Sequence, residues 1–168
     1  MVEPRGFEEY VQGRQDLLVR AAYLITGDSH LAQDLVQIAL ERVWQRWERV
    51  RHVENLDGYV YRVLMRAYLG IRRRRWATER PTADLQGAGT AQGDQDVTLD
   101  RLTLMDALAR LPPRQRATVV LRFYLDLSER QTAEALGCAV GTVKSQTAKG
   151  LSTLRAVMDV LGEGSPSC

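Results

Sequence analysis

The chain has 168 residues, 45% hydrophobic and 26% charged, with 23 basic and 21 acidic side chains for a formal net charge of +2. No stretch approaches the roughly 20 consecutive apolar residues of a membrane span, and Met1–Tyr10 lacks the apolar run of a secretion signal, so a cytoplasmic protein is expected. Cys138 lies inside a helical pattern and Cys168 is the last residue, while His30 and His52 stand isolated, so neither a disulfide framework, a metal site nor a cofactor is implied.

Apolar residues recur at the helical period and no long segment alternates apolar with polar, which predicts an all-α fold. Two small helical domains are expected, residues 1–76 and 97–161, joined by a flexible linker over 77–96 that is rich in Thr, Ala, Gly, Gln and Asp; residues 162–168 form a tail. Charge is unevenly spread: the acidic excess is central, with Asp84, Asp94, Asp96 and Asp100, and the flanks are basic.

The first helix is expected from about Phe7 to Ile25, with Tyr10, Leu17, Ala21 and Leu24 on one stripe and Gly27 at its end. Asp28 and Ser29 are good caps for a second helix, about His30 to Val50. At 100° per residue Val36, Leu40, Val43, Trp47 and Val50 form its core stripe, while Leu31, Leu35 and Ile38 fall on a second face among Asp34, Glu41 and Gln45. Such a face either packs inside its own domain or docks a partner helix.

A third helix is expected from about Asn55 or Asp57 to Trp76, with Val60, Val63, Leu64, Ala67 and Ile71 as its core side. Opposite lie Arg62, Arg66 and Arg73, with Met65 and Leu69 between them and Tyr61, Tyr68 and Arg72 on the shoulder. Arginines interleaved with aromatics, ending in Arg72, Arg73, Arg74 and Arg75, suit phosphates and unstacked bases better than they suit a plain solvated face.

In the second block a helix from about Val97 carries Leu99, Leu102, Met105 and Leu108. Pro113 opens the next, to about Tyr124, because proline lacks the amide hydrogen that a first turn leaves unpaired. Ser128 caps a short helix to Leu136, Gly137 closes it, and a long helix follows from about Gly141 to Leu161. The last pair has the pattern of a helix-turn-helix: Ala133 is small at the crossing, Gly137 can turn, and Leu136, Cys138 and Val143 fill the gap. Lys144, Ser145, Ala148, Lys149, Ser152 and Arg155 point outward, the arrangement that reads a major groove.

The run Ala32-Gln33-Asp34-Leu35-Val36-Gln37, followed by Arg42-Val43-Trp44, resembles the polymerase-binding helix of bacterial sigma factors. Tyr59-Val60-Tyr61-Arg62-Val63-Leu64 is similar to the start of their promoter-melting helix. Leu111-Pro112-Pro113-Arg114-Gln115-Arg116 and Val140-Gly141-Thr142-Val143-Lys144-Ser145 resemble the start and the recognition helix of their C-terminal domain. Order and length match the small extracytoplasmic-function (ECF) sigma factors. The resemblance implies core RNA polymerase and promoter DNA as partners, and it admits an anti-sigma factor. Asp34, Leu35, Gln37, Ile38 and Glu41 would then engage polymerase. Asn55, Tyr61, Arg62, Arg66, Arg72 and Arg73 would meet the −10 element. Thr142, Lys144, Ser145 and Lys149 would read the −35 element, with Arg116 and Arg130 as phosphate contacts. Arg66 stands where relatives usually carry Asn, and Ala139 where a serine commonly caps the recognition helix.

The implied mechanism is binding without bond-making, since no phosphate-cradling glycine motif or metal-ligand spacing is present. Two rival classes are a helix-turn-helix regulator that binds duplex DNA alone and an all-α metal-dependent phosphohydrolase. The first would normally carry a βα receiver domain and the second facing His and Asp ligands, and this sequence carries neither pattern.

Overall fold

The computed structural model describes residues 4–78 and 99–163; the expected linker, save its first two residues, and the end of the tail lie outside them. The described residues are helical with no strand. Helices α1 (Pro4–Thr26), α2 (Ser29–Gln45), α3 (Trp47–Val50) and α4 (Leu56–Thr78) build the first domain. Helices α5 (Leu99–Ala109), α6 (Pro113–Val119), α7 (Glu129–Leu136) and α8 (Val140–Glu163) build the second, with a π-helical turn at Val120–Tyr124.

Local chemistry sets the boundaries. Gly27 adopts φ 71°, a left-handed conformation that costs glycine little and stops α1. The Asp28 carboxylate accepts from the amides of His30 (2.9 Å) and Leu31 (3.1 Å), satisfying two orphan donors at the start of α2. Ser128 and Gln131 form a reciprocal capping box on α7, and Gly137, at φ 66°, closes that helix.

Two expected helices are interrupted. The predicted second helix breaks at Arg46 (φ −116°, ψ 13°), and the short α3 turns Trp47 into the core against Phe7, 5.2 Å between ring centroids. The helix after Pro113 leaves the α-helical pattern after Val119, and the Leu125 amide reaches back five residues to the Val120 carbonyl (3.1 Å). The side chain of Arg122 caps the Leu127 carbonyl just beyond.

The expected stripe of α2 and α3 is buried throughout. In α1 the core also takes Leu18, Ala22 and Ile25, and in α4 it takes Tyr61, Met65 and Tyr68, which the sequence placed on an outer face or its shoulder. The reason is that each helix packs on more than one side. Helix α4 is covered by α2 on one side and α7 on the other, and α1 touches α6 and the π-turn as well as α2. One continuous apolar cluster accordingly joins residues of the first domain to Ala117, Val120, Leu121, Leu127, Ala135 and Leu136 of the second.

Candidate nucleic-acid and polymerase-docking surfaces

Helix α2 presents Asp34, Gln37 and Glu41 to solvent, with Ile38 half-buried. Leu35, expected on that outer face, is instead only 1% exposed and belongs to the core. Because α2 lies between α1 and α4, its second apolar face is consumed inside the domain, leaving a polar ridge flanked by Ile38. Beside Glu41, a groove of about 1110 Å³ between α1 and α2 is lined by Phe7, Val11, Val19, Leu40 and Trp44.

Helix α4 is pinned at its start. The Asn55 side chain accepts from the Gly58 amide (2.9 Å), so this exposed residue is the cap of α4 as well as a candidate DNA contact. Asp57 accepts from the Tyr10 hydroxyl (2.8 Å) and pairs with Arg14 (2.9 Å), tying α4 to α1. Burial first, then the Asp57 hydrogen bond and charge, pushes the Tyr10 phenol far above its ordinary range. Burial first, then the Asp57 charge, also raises the Tyr61 phenol; that residue is only 5% exposed and therefore offers no open stacking face in this conformation.

Farther along, Arg62 lies over the Tyr59 ring at 5.5 Å and Arg72 over the Tyr68 ring at 5.8 Å, cation–π pairs that hold both guanidiniums against the helix. Arg66, Arg73, Arg74 and Arg75 are exposed. Trp76 is 80% exposed beyond them, a flat apolar surface that the sequence reading passed over. Its signal was a large aromatic at the end of an arginine run.

In the second domain Ala133, Leu136 and Val143 are buried between α7 and α8, with Cys138 a half-buried free thiol beside them. Lys144, Ser145 and Lys149 lie on the solvent face of α8 and Thr142 is half-buried. The Ser145 hydroxyl donates to the Thr142 carbonyl (3.0 Å). Arg130 is exposed and paired with Glu134 at 3.4 Å, a contact too solvated to hold it firmly.

Arg116 is placed differently from its expected role as a phosphate contact. Its side chain is buried, 8% exposed, and its Nε donates to the Leu24 carbonyl of α1 at 2.6 Å. Carbonyls of a final helical turn lack intrahelical partners and carry partial negative charge, so they attract a cation. Burial lowers the guanidinium's pKa from its ordinary value, while Tyr68 and Tyr23 act in the opposite direction.

Between the domains lies a cleft of about 1030 Å³. Arg66, Arg72, Arg73 and Trp76 of α4 look across it toward Arg114 of α6 and Gln146 of α8. Among the described residues no group of three or more His, Cys, Asp or Glu side chains is placed to hold a metal ion, and no helix is long and apolar enough to cross a membrane.

Comparison with known proteins matches residues 10–78 to Sigma-70 region 2 and residues 101–154 to Sigma-70, region 4. The chain is 41% identical over 155 residues to the RNA polymerase sigma-E factor of Streptomyces coelicolor, covering 92% of this chain and 87% of that protein. It is 33% identical over 150 residues to the ECF RNA polymerase sigma factor SigL of Mycobacterium tuberculosis, covering 87% and 85%. Among solved structures, the sigma factor RpoE of Bartonella quintana, in complex with the anti-sigma factor NepR, superposes with a TM-score of 0.77 at 23% identity, covering 92% and 97%. CnrH, in complex with the cytosolic domain of CnrY, does so with a TM-score of 0.64 at 18% identity, covering 94% and 90%. With both sigma regions present in order on an all-helical scaffold, and with relatives of this identity across most of its length, the chain belongs to the ECF group of the sigma-70 family.

Proposed function

We propose that this sigma factor directs transcription initiation by docking core RNA polymerase through the exposed ridge of α2 and by reading two promoter elements, one with each domain. In this reading residues 1–76 carry the polymerase and −10 functions, 97–161 carry the −35 function, 77–96 connect them, and 162–168 lie outside both. Asp34, Gln37 and Glu41, flanked by Ile38, make the polymerase contact. Leu35 supports that ridge from beneath, a positioning role.

At the −10 element Asn55, Arg62, Arg66, Arg72 and Arg73 hold the strand, and Tyr61, buried in the core, supports α4 from beneath. At the −35 element Thr142, Lys144, Ser145 and Lys149 meet the duplex, with Arg130 free to leave Glu134 for a phosphate. The observation that carries the reading is the separation of these cationic surfaces onto two domains, each behind its own rigid helix. The work is done by binding free energy, with no catalytic step and no cofactor, in the cytoplasm where polymerase and chromosome meet. The two solved structures described above are complexes, RpoE with the anti-sigma factor NepR and CnrH with the cytosolic domain of CnrY, and we extend an anti-sigma factor to this chain as a third partner.

The test is saturable binding of the purified chain to core RNA polymerase, against a variant carrying Asp34→Ala and Glu41→Ala. Both positions are exposed, so folding is spared, and the double change is expected to weaken binding at least tenfold. A chain that ignores polymerase yet binds duplex DNA would be a helix-turn-helix regulator instead.

A further inference from the structure

Positive charge converges on the cleft between α4 and the second domain. Four arginines line it, Arg66, Arg72 and Arg73 from α4 and Arg114 from α6, and no Asp or Glu does. Arg66, Arg73 and Arg114 are exposed, and none of the three pairs with a carboxylate among the described residues. Arg72 is steadied by the Tyr68 ring, 5.8 Å away. A concave surface of one sign focuses its field and concentrates counter-ions, and planar guanidiniums match phosphate oxygens in geometry as well as charge.

The remaining lining is not that of a bare phosphate site. Trp76, 80% exposed, adds a flat indole of the kind on which nucleobases stack. Gln115 of α6 and Gln146 of α8 also line the cleft, and Oε1 of each is buried with no hydrogen-bond partner among the described residues. Leaving a buried acceptor unpaired is costly, so these two oxygens call for N–H donors from a ligand. Guanidiniums for phosphates, an indole for a ring and amide oxygens for ring or exocyclic N–H groups describe a single ligand. The cleft, at about 1030 Å³, lies at the upper end of the roughly 300–1,000 Å³ of small-molecule sites. A plain DNA-facing stripe on α4 would need neither Arg114 from the other domain nor the two glutamines.

We propose that this cleft binds a purine nucleoside polyphosphate, its base on Trp76 and its phosphates among the four arginines. A purine offers a wide stacking face together with N–H donors on its edge. Binding makes and breaks no covalent bond. Arg66, Arg72 and Arg73 are also assigned to the −10 strand, so nucleotide and strand compete for the same guanidiniums. That competition rests on the promoter assignment above; the nucleotide site does not.

The experiment is calorimetric titration of the full-length chain with ATP, GTP, adenosine, guanosine and inorganic tripolyphosphate. It is repeated on Trp76→Ala and Arg114→Glu, both at exposed positions assigned to neither promoter element, with folding checked by circular dichroism. One nucleotide per chain is expected, bound at least about tenfold more tightly than either the nucleoside or tripolyphosphate. Trp76→Ala should weaken nucleotide at least about fivefold while leaving tripolyphosphate within about twofold. Arg114→Glu should weaken both at least about tenfold. Tripolyphosphate binding as tightly as nucleotide, with Trp76→Ala indifferent, would mean a diffuse basic surface and overturn the proposal. So would several nucleotides per chain, or no saturable binding at millimolar nucleotide. A separate arm measures displacement of a labelled −10 single strand by the nucleotide. Nucleotide that binds as expected yet displaces no strand would uphold the site and count against the −10 assignment.

Discussion

Replacing Gly150 by alanine sets two effects of known sign against each other. In a helix interior the change should stabilise α8 by about 1 kcal/mol, because glycine loses more backbone freedom on folding. Gly150, however, sits where α8 crosses α6: a Cβ there would lie 2.7 Å from Val119 Cγ2 and 3.6 Å from the Gln115 carbonyl oxygen. Carbon–carbon contacts settle near about 3.5–4.0 Å, so the two must move apart by about 1 Å. Val119 is buried and β-branched, with few alternative rotamers, and overpacking of this kind costs about 1–3 kcal/mol. The packing effect wins, and Gly150→Ala should destabilise by up to about 2 kcal/mol.

A double-mutant cycle isolates the cause. Val119→Ala alone should cost about 2 kcal/mol in lost burial, yet in the double variant the new Cβ occupies the space it vacates. The combined loss should fall short of the sum by at least about 1 kcal/mol, measured by urea unfolding followed by circular dichroism. Additivity within about 0.5 kcal/mol, or a Gly150→Ala protein more stable than wild type, would refute the close-crossing argument.

Ala139 precedes α8 without a side-chain oxygen to cap it, so Ala139→Ser should stabilise by about 1 kcal/mol in the same unfolding assay. Tyr10 and Tyr61 are favoured in their neutral forms when folded, with pKa values above the ordinary 10.0. Their contribution is therefore present below about pH 10 and lost as the unfolded chain ionises above it, so the melting temperature should drop in that alkaline range. Tyr10→Phe should flatten the drop while costing about 1 kcal/mol at neutral pH through loss of the Asp57 bond. Lys144→Ala with Lys149→Ala should weaken −35 binding and lower its salt slope by about two ions; unchanged affinity would remove those lysines from the interface.

Much of the fold was readable because helix caps and breakers are local. Asp28, Gly27, Ser128 and Gly137 mark boundaries with their own chemistry, and each does so in the folded chain. The family motifs were legible for a related reason, since they are short runs of polar and small residues at fixed spacing. What escaped was everything set by contact between distant segments. Leu35 on α2 and Met65 and Tyr68 on α4 look like outer-face residues when each helix is given a single neighbour. They are buried because α2 has α1 and α4 beside it, and α4 has α2 and α7.

Arg116 shows the same limit most sharply. An arginine at the start of a DNA-binding domain reads as a phosphate contact, and no local pattern reveals that its partner is a carbonyl 92 residues earlier. The break at Arg46 and the π-turn after Val119 likewise answer tertiary demands, the first by turning Trp47 inward. Trp76, left exposed at the end of the arginine run, is the residue whose sequence signal was present and unread.

The most direct test of the central claim is transcription by core RNA polymerase on total genomic DNA, with and without this chain, followed by mapping of RNA 5′ ends. The account predicts a set of starts that appears only with the chain, each preceded by two shared sequence blocks near −10 and −35. Saturating chain that leaves the start sites of core polymerase unchanged would contradict it.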